Sequence, residues 1–288
     1  MPGAMPADTL RVVTLNIWNN QGPWPERLRL IRRELGELAP DIVGLQEVLH
    51  LDPAEAQQAT PDQAQAIGDG FGYYCAFASA WHIGGGLQFG NALLSRWPIV
   101  HADNFQLPCE PDDETRGLLH CVLDSPHGRI AVFVTHLSWK LHQSDIRQQQ
   151  VAFIAGKVRE LAPLDNSPGF PPILMGDFNA EPESDEIRYL RGFNSRLGRS
   201  IYFADCFAAA GDGSPGYSYA RANPYALRAH EPNRRLDYIF SRGPDRELRG
   251  EPLSARLCFN QPVDGIWPTD HYGVLAEIQA APRKLDPL

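Results

Sequence analysis

Polar and ionisable residues recur at the ends of otherwise apolar runs in this sequence: Asn16, Glu47, His136, Asp177, Asn179, Asp237, Asp270 and His271. In sheet proteins the strand ends and the loops after them are where binding groups converge, so their joint recurrence carries more than any single residue. Each has a bland reading when taken alone. Asp177 and Asn179, within Gly-Asp-Phe-Asn, suit a turn, Asn16 suits a cap after its strand, and His136 suits a satisfied interior histidine. As a set they offer carboxylate and amide oxygens from Glu47, Asp177, Asp270, Asn16 and Asn179, the hard donors that suit Mg²⁺ or Mn²⁺. Histidine and cysteine pairs at zinc spacing, such as His-x-x-x-His or Cys-x-x-Cys, do not occur.

Hydrolysis of a phosphate ester needs neutral equatorial oxygens, a water held in line and a stabilised leaving oxygen. A metal on Glu47 answers the first need and part of the third. Asp177 can take a proton from water or fix it, with Asn179 orienting the phosphate. His136 and His271 can contribute charge or protons near neutral pH. His271 needs a carboxylate partner to stay an imidazolium, and Asp237 is the candidate.

These residues need strands to carry them. The segments 10–18, 41–48, 90–100, 117–124, 129–137, 171–179, 235–241 and 271–278 read as strands, rich in Val, Ile, Leu and Phe and bounded by Gly, Pro, Asn or Asp. Several are apolar almost throughout, as in sheets covered on both faces. Helices are expected over 25–39, with Leu28, Ile31, Leu35 and Leu38 on one face, and over 144–162, capped by Ser144. Shorter helices are expected over 184–190 and 61–67, in a least regular stretch at 50–90. There the run His82-Ile83-Gly84-Gly85-Gly86 reads as a turn before the strand at Phe89 rather than as a phosphate loop. No repeat or linker divides the chain. The expected organisation is a lead-in over 1–9, one α/β catalytic domain over 10–280 built from two packed sheets with outer helices, and a tail over 281–288.

At 288 residues and 43% hydrophobic the chain can bury a large core, and no run is long enough to span a membrane as a helix. The first ten residues lack the pattern of a secretory signal, and the five scattered cysteines argue against a disulfide framework, so a reduced, cytoplasmic setting is expected. A net charge of −9 disfavours nucleic acid as partner, since Lys and Arg must replace phosphate counterions. The arginines between Arg221 and Arg249 are diluted by acidic residues and read as a salt-bridged surface.

The ordered set LNIW with Asn16, LQEV with Glu47, TRGLL with Arg116, THL with His136, GDFNAEP with Asp177 and Asn179, RLDYIF with Asp237, and TDH with Asp270 and His271 resembles the endonuclease/exonuclease/phosphatase, or DNase I-like, family from about Leu10 to Ile278. The resemblance implies a four-layer α/β sandwich of two mainly antiparallel sheets flanked by helices. It also implies Mg²⁺-dependent hydrolysis without a covalent intermediate. It makes Glu47 the main metal ligand, with Asn16 at the metal or phosphate, and Asp270 at a second metal position or in the hydrogen-bond network. Asp177 aligns or deprotonates the water, Asn179 contacts the phosphate, and Asp237 with His271 meets the scissile phosphate. One departure stands out. Deoxyribonuclease-like members pair the THL histidine with a glutamate near the ALLSR strand, but residues 81–109 hold none; Gln88 and Asn91 are the nearby polar groups. His136 is therefore expected to bind transition-state charge rather than act as an acid. Arg116 either braces Glu47 or a strand end, or contacts substrate, and Asn91 and Trp139 are further candidate contacts. The expected substrate is a phosphorylated small molecule or lipid headgroup. A nuclease using the same core, and a non-catalytic binding module, are the alternatives. Oligomeric state is not legible.

Overall fold

The computed structural model describes residues 8–51, 62–111, 113–164 and 169–283. Most of the expected lead-in, the end of the expected tail and Pro61 lie outside the described residues. One six-stranded sheet comprises β1 (Thr9–Asn16), β2 (Ile42–Leu51), β3 (Tyr74–Gly84), β4 (Leu87–Ser95), β11 (Pro252–Cys258) and β12 (Gly273–Gln279), in the order β11-β12-β1-β2-β4-β3. The other comprises β5 (Ile99–Gln106), β6 (Gly117–Ser125), β7 (Gly128–His136), β8 (Phe170–Asp177), β9 (Ala204–Asp205) and β10 (Asp237–Ser241), in the order β5-β6-β7-β8-β10-β9. The helices are α1 (Trp24–Leu38), α2 (Gln63–Gly68), α3 (Ser144–Leu161), α4 (Asp185–Leu190), α5 (Cys206–Ala210) and α6 (Pro224–Leu227).

Each sheet is antiparallel except for one parallel pair, β1 with β2 and β7 with β8. Parallel neighbours need a long crossover, and α1 and α3 supply it. Alternation along the strands then sorts side chains into layers. Leu10, Val12 and Ile42 of the first sheet meet Val132, Val134, Ile173, Met175 and Ile239 of the second in the central core. Val13, Leu15, Val43 and Leu45 face outward onto Ile31, Leu35 and Leu38 of α1. Leu118, Phe133, Leu174 and Phe240 face outward onto Val151, Ile154 and Val158 of α3. The result is the expected four-layer α/β sandwich.

Three local expectations are corrected. The run 90–100 is two strands, not one, because Pro98 cannot donate to a ladder and the chain crosses there from the first sheet to the second. The edge strands β3 and β11 were not expected: at the ends of their sheet they carry few buried apolar residues, so their pattern is weak. Ser144 is the first residue of α3 and Gln143 holds the cap position, without a side-chain cap bond. The triple-glycine run is the β3–β4 hairpin turn, with Gly84, Gly85 and Gly86 all at positive φ.

Candidate functional site

Inward-facing residues at one end of the two sheets meet in a cleft of about 340 Å³ lined by Asn19, Glu47, Phe89, Glu114, Arg116, His136, Trp139, Asp177, Asn179, Tyr219, Glu231, Asp270 and His271, among others. Asn16 continues the inward series of Leu10 and Val12, His136 that of Val132 and Val134, and Asp177 that of Ile173 and Met175. Asp237 pairs directly with Asp177 across β8 and β10. Glu47 reaches the cleft by a different device. Strict alternation would place it outward with Val43 and Leu45, against α1. A bulge between Leu45 and Val48, with Glu47 at φ 58°, turns it inward.

The side chains form one network around Asp177. Asn16 Nδ2 donates to Glu47 Oε1 at 3.1 Å and to Asp177 Oδ2 at 3.1 Å, while its Oδ1 accepts from the Trp18 N–H at 2.9 Å. Asn16 thus organises two carboxylates with its amide nitrogen and turns its oxygen, the atom a metal would take, toward backbone. His271 Nδ1 sits 2.8 Å from Asp237 Oδ2, so the anticipated partner is in place, and its Nε2 lies 3.7 Å from Asp177 Oδ2. Burial pulls the His271 pKa down, but the Asp237 and Asp177 carboxylates overcome it and hold the ring well above the ordinary histidine value, as imidazolium. Burial and the Asp237 charge push Asp177 up to about 7.

His136 is the opposite case. Burial, then Arg116 and His271, hold it well below the ordinary value, so it is neutral. Arg116 Nη1 is 3.3 Å from His136 Nδ1, on the side of the ring away from Nε2. Nε2 lies 3.0 Å from Asn179 Nδ2 and 3.5 Å from Asp177 Oδ2; Arg116 and Asn179 are both donors, so the neutral ring, with one N–H, accepts from only one of them. Arg116 therefore braces a strand end, that of β7, and also pairs with Glu114 at 2.8 Å; it does not reach Glu47. Asn179, in the left-handed region at φ 48°, donates to the Leu137 carbonyl, and its backbone N–H donates to Asp177 Oδ1.

Asn91 is not brought to the cleft. Its buried side chain donates to the Gly117 carbonyl at 3.0 Å and ties the two sheets together, which corrects its assignment as a substrate contact. Trp139 does line the cleft and is half exposed.

Several residues that position the site carried no recognisable motif. Asn19 Nδ2 donates to Glu47 Oε2 at 3.0 Å. The fully buried guanidinium of Arg27 on α1 donates to the carbonyls of Ile17, Asn19, Gln21 and Pro268, so one cation knits the loop after β1 to the loop before Asp270. Asn223 Nδ2 donates to the Thr269 carbonyl at 2.7 Å, and Ser218 Oγ accepts from the Asp237 N–H at 3.1 Å. Asn19, Ser218 and Asn223 carried only polarity in a loop, and Arg27 only a charge on an expected helix. An apolar annex of about 310 Å³, lined by Leu49, Trp81, Ile83, Leu87 and Phe89, adjoins the cleft and shares Asn19, Phe89 and Glu114 with it.

The fit to a divalent ion follows from the donors. Asp177, Asp237 and His271 form a group of ligand-type atoms within 4.8 Å of one another. However, the imidazolium is itself the counter-charge of that group and cannot ligate. Burial raises Asp270 to about 6 and Glu47 adds to the rise, against the His271 and Arg27 charges, which lower it. Glu47 and Asp270 both line the cleft, and two such carboxylates suit a hard divalent ion there. Asp237 Oδ1 is also buried without a hydrogen-bond partner among the described residues.

The sequence profile of the endonuclease/exonuclease/phosphatase family matches residues 13–271. The uncharacterized protein YbhP of Escherichia coli (strain K12) is 29% identical over 192 residues, 62% of this chain and 70% of that protein. Truncated TDP2 of Caenorhabditis elegans superposes with a TM-score of 0.71 at 20% identity, covering 94% of this chain and 98% of that one. The human Nocturnin catalytic domain, with a bound sulfate anion, gives 0.69 at 21% identity, covering 95% and 94%. At these identities the structural likeness is one of fold.

Proposed function

The chain belongs to the endonuclease/exonuclease/phosphatase family of phosphoester hydrolases, and from that premise we propose that it hydrolyses the phosphoester of a small molecule or lipid headgroup by direct attack of water, with residues 10–280 as the catalytic unit. The observation that carries this reading is the surroundings of the cleft. Its rim bears Glu114 and Glu231, its cations are already engaged by carboxylates, and it opens onto the apolar annex. A compact anionic group with an apolar alcohol portion suits that surface; a long polyanion does not.

Asp177 takes the proton of the attacking water. His271, held charged by Asp237, faces the phosphoryl oxygens as charge builds on them. His136 and the Asn179 amide contact the same oxygens. Glu47 and Asp270 would hold a divalent ion, Mg²⁺ with Mn²⁺ as substitute, which would supply charge neutralisation to the phosphoester. Asn16 and Asn19 keep Glu47 aimed at it.

The deciding experiment is a panel of chromogenic mono- and diesters, lipid phosphoesters, phosphoinositides and nucleic acids, each assayed with EDTA and with added Mg²⁺ or Mn²⁺. Activity is expected to vanish in EDTA, return with either ion, and be greatest on esters with apolar alcohols. Glu47→Gln is expected to lose on the order of 10²-fold or more in turnover. Full activity in EDTA would overturn the metal role, and preference for nucleic acid would overturn the substrate class.

A further inference from the structure

Away from the cleft, on the sheet face that α3 covers, β5 and β6 bring two histidines and a carboxylate together. His101 and Asp103 are two apart on β5 and so share a face, and the register sets Asp103 opposite His120 of β6. His101 Nε2 lies 2.6 Å from Asp103 Oδ2, and His120 Nδ1 lies 3.6 Å from the same oxygen. One ligand atom from each residue falls within 4.8 Å of the others. His120 is only 2% exposed, and neither ring nitrogen has a hydrogen-bond partner among the described residues. Such an imidazole is costly to bury, and its stacking on Phe133 does nothing for its polar atoms.

We propose that His101, Asp103 and His120 form a second metal site, distinct from the cleft, that takes Zn²⁺ through two imidazoles and one carboxylate. The 3.6 Å separation is too long for an ordinary hydrogen bond. It is close to the roughly 3.4 Å edge of a tetrahedron with bonds of about 2.1 Å, the zinc distance to nitrogen and oxygen. The His101–Asp103 contact must open slightly to reach that edge, and the His101 side chain, 55% exposed, is free to do so. Two nitrogens and one oxygen are a borderline donor set, unlike the oxygen-rich group in the cleft, so the two sites select different ions. Solvent on the His101 side completes the coordination. The ion would tie β5, at the edge of its sheet, to β6 by side chains as well as by the ladder.

The test is equilibrium dialysis against Zn²⁺ in excess Mg²⁺, with bound zinc counted by elemental mass spectrometry in the wild type, His101→Ala, Asp103→Asn and Glu47→Gln. The His101 and Asp103 variants are each expected to lose one equivalent of zinc and to keep their hydrolytic activity. Glu47→Gln is expected to retain that equivalent. Zinc should also slow amide hydrogen exchange in β5 of the wild type but not of Asp103→Asn. Equal zinc in the wild type and both surface variants, or loss of the equivalent in Glu47→Gln alone, would overturn the site. Because the count does not depend on turnover, it stands or fails apart from the proposed reaction.

Discussion

The two cleft histidines show how neighbours, rather than residue type, decide a role. His136 and His271 both lie against Asp177 Oδ2, at 3.5 and 3.7 Å, yet one is neutral and the other charged. Arg116 beside the first and Asp237 beside the second make the difference. The sign of a pH effect follows. His271 is raised above the ordinary histidine value, so its charged form persists to higher pH and is lost as pH rises through the shifted pKa. Removing the Asp237 charge in Asp237→Asn should lower that pKa and bring the alkaline limb of the pH–rate profile to lower pH. Turnover should fall on the order of 10²–10⁴-fold, the usual scale for a displaced acid–base group. A full pH–rate profile of both proteins checks this, and an unmoved alkaline limb would remove Asp237 as the group that holds His271 charged.

At the scale of elements, two backbone devices shape the strand ends that carry the carboxylates. One is the bulge in β2 that turns Glu47. The other is Gly176, at φ 148° between β7 and β10, where an added Cβ would stand 1.9 Å from the Thr135 carbonyl oxygen. No flexible side chain can yield there, so Gly176→Ala should destabilise the fold by about 2–4 kcal/mol through strain and overpacking. It should also displace Asp177, the next residue. Urea unfolding would show the loss as a lower midpoint with unchanged slope. A midpoint equal to the wild type would mean that β8 relaxes without cost. Two of the four layers rest on crossover helices, α1 and α3, whose apolar periodicity was plain; the edge strands, with few buried residues, were not.

For the molecule as a whole, charge separates the candidate substrates. Within the arginine-rich stretch, Arg234 pairs with Glu181 and Glu231, Arg235 is buried on Asp205, and Arg249 pairs with Asp245. These side chains serve the fold and are not spare cations for a phosphate backbone. A protein making six to ten phosphate contacts loses about 10³–10⁵-fold in affinity between roughly 50 and 200 mM salt. Here KM for an ester with an apolar alcohol should change no more than a few-fold over that range, and binding of duplex DNA should be immeasurable even at low salt. Steady-state kinetics and a fluorescence-anisotropy titration check both; tight, steeply salt-dependent DNA binding would restore the nuclease reading.

What could be read from the sequence were the features that local chemistry dictates. Apolar runs marked most of the strands, periodicity marked α1 and α3, and polar residues at the ends of those runs marked Asn16, Glu47, His136, Asp177, Asp237 and His271, because a buried strand end tolerates such groups only when they are partnered. Tertiary structure decided the rest. It paired Asp237 with His271, set Arg116 against His136, drew Asn91 into a link between sheets, and recruited Asn19, Arg27, Ser218 and Asn223 from stretches with no motif. Those roles depend on distances across the sandwich, between residues up to 241 positions apart in the chain, as with Arg27 and Pro268. A contact at that separation leaves no periodicity in a single sequence; it exists only once distant segments have packed together.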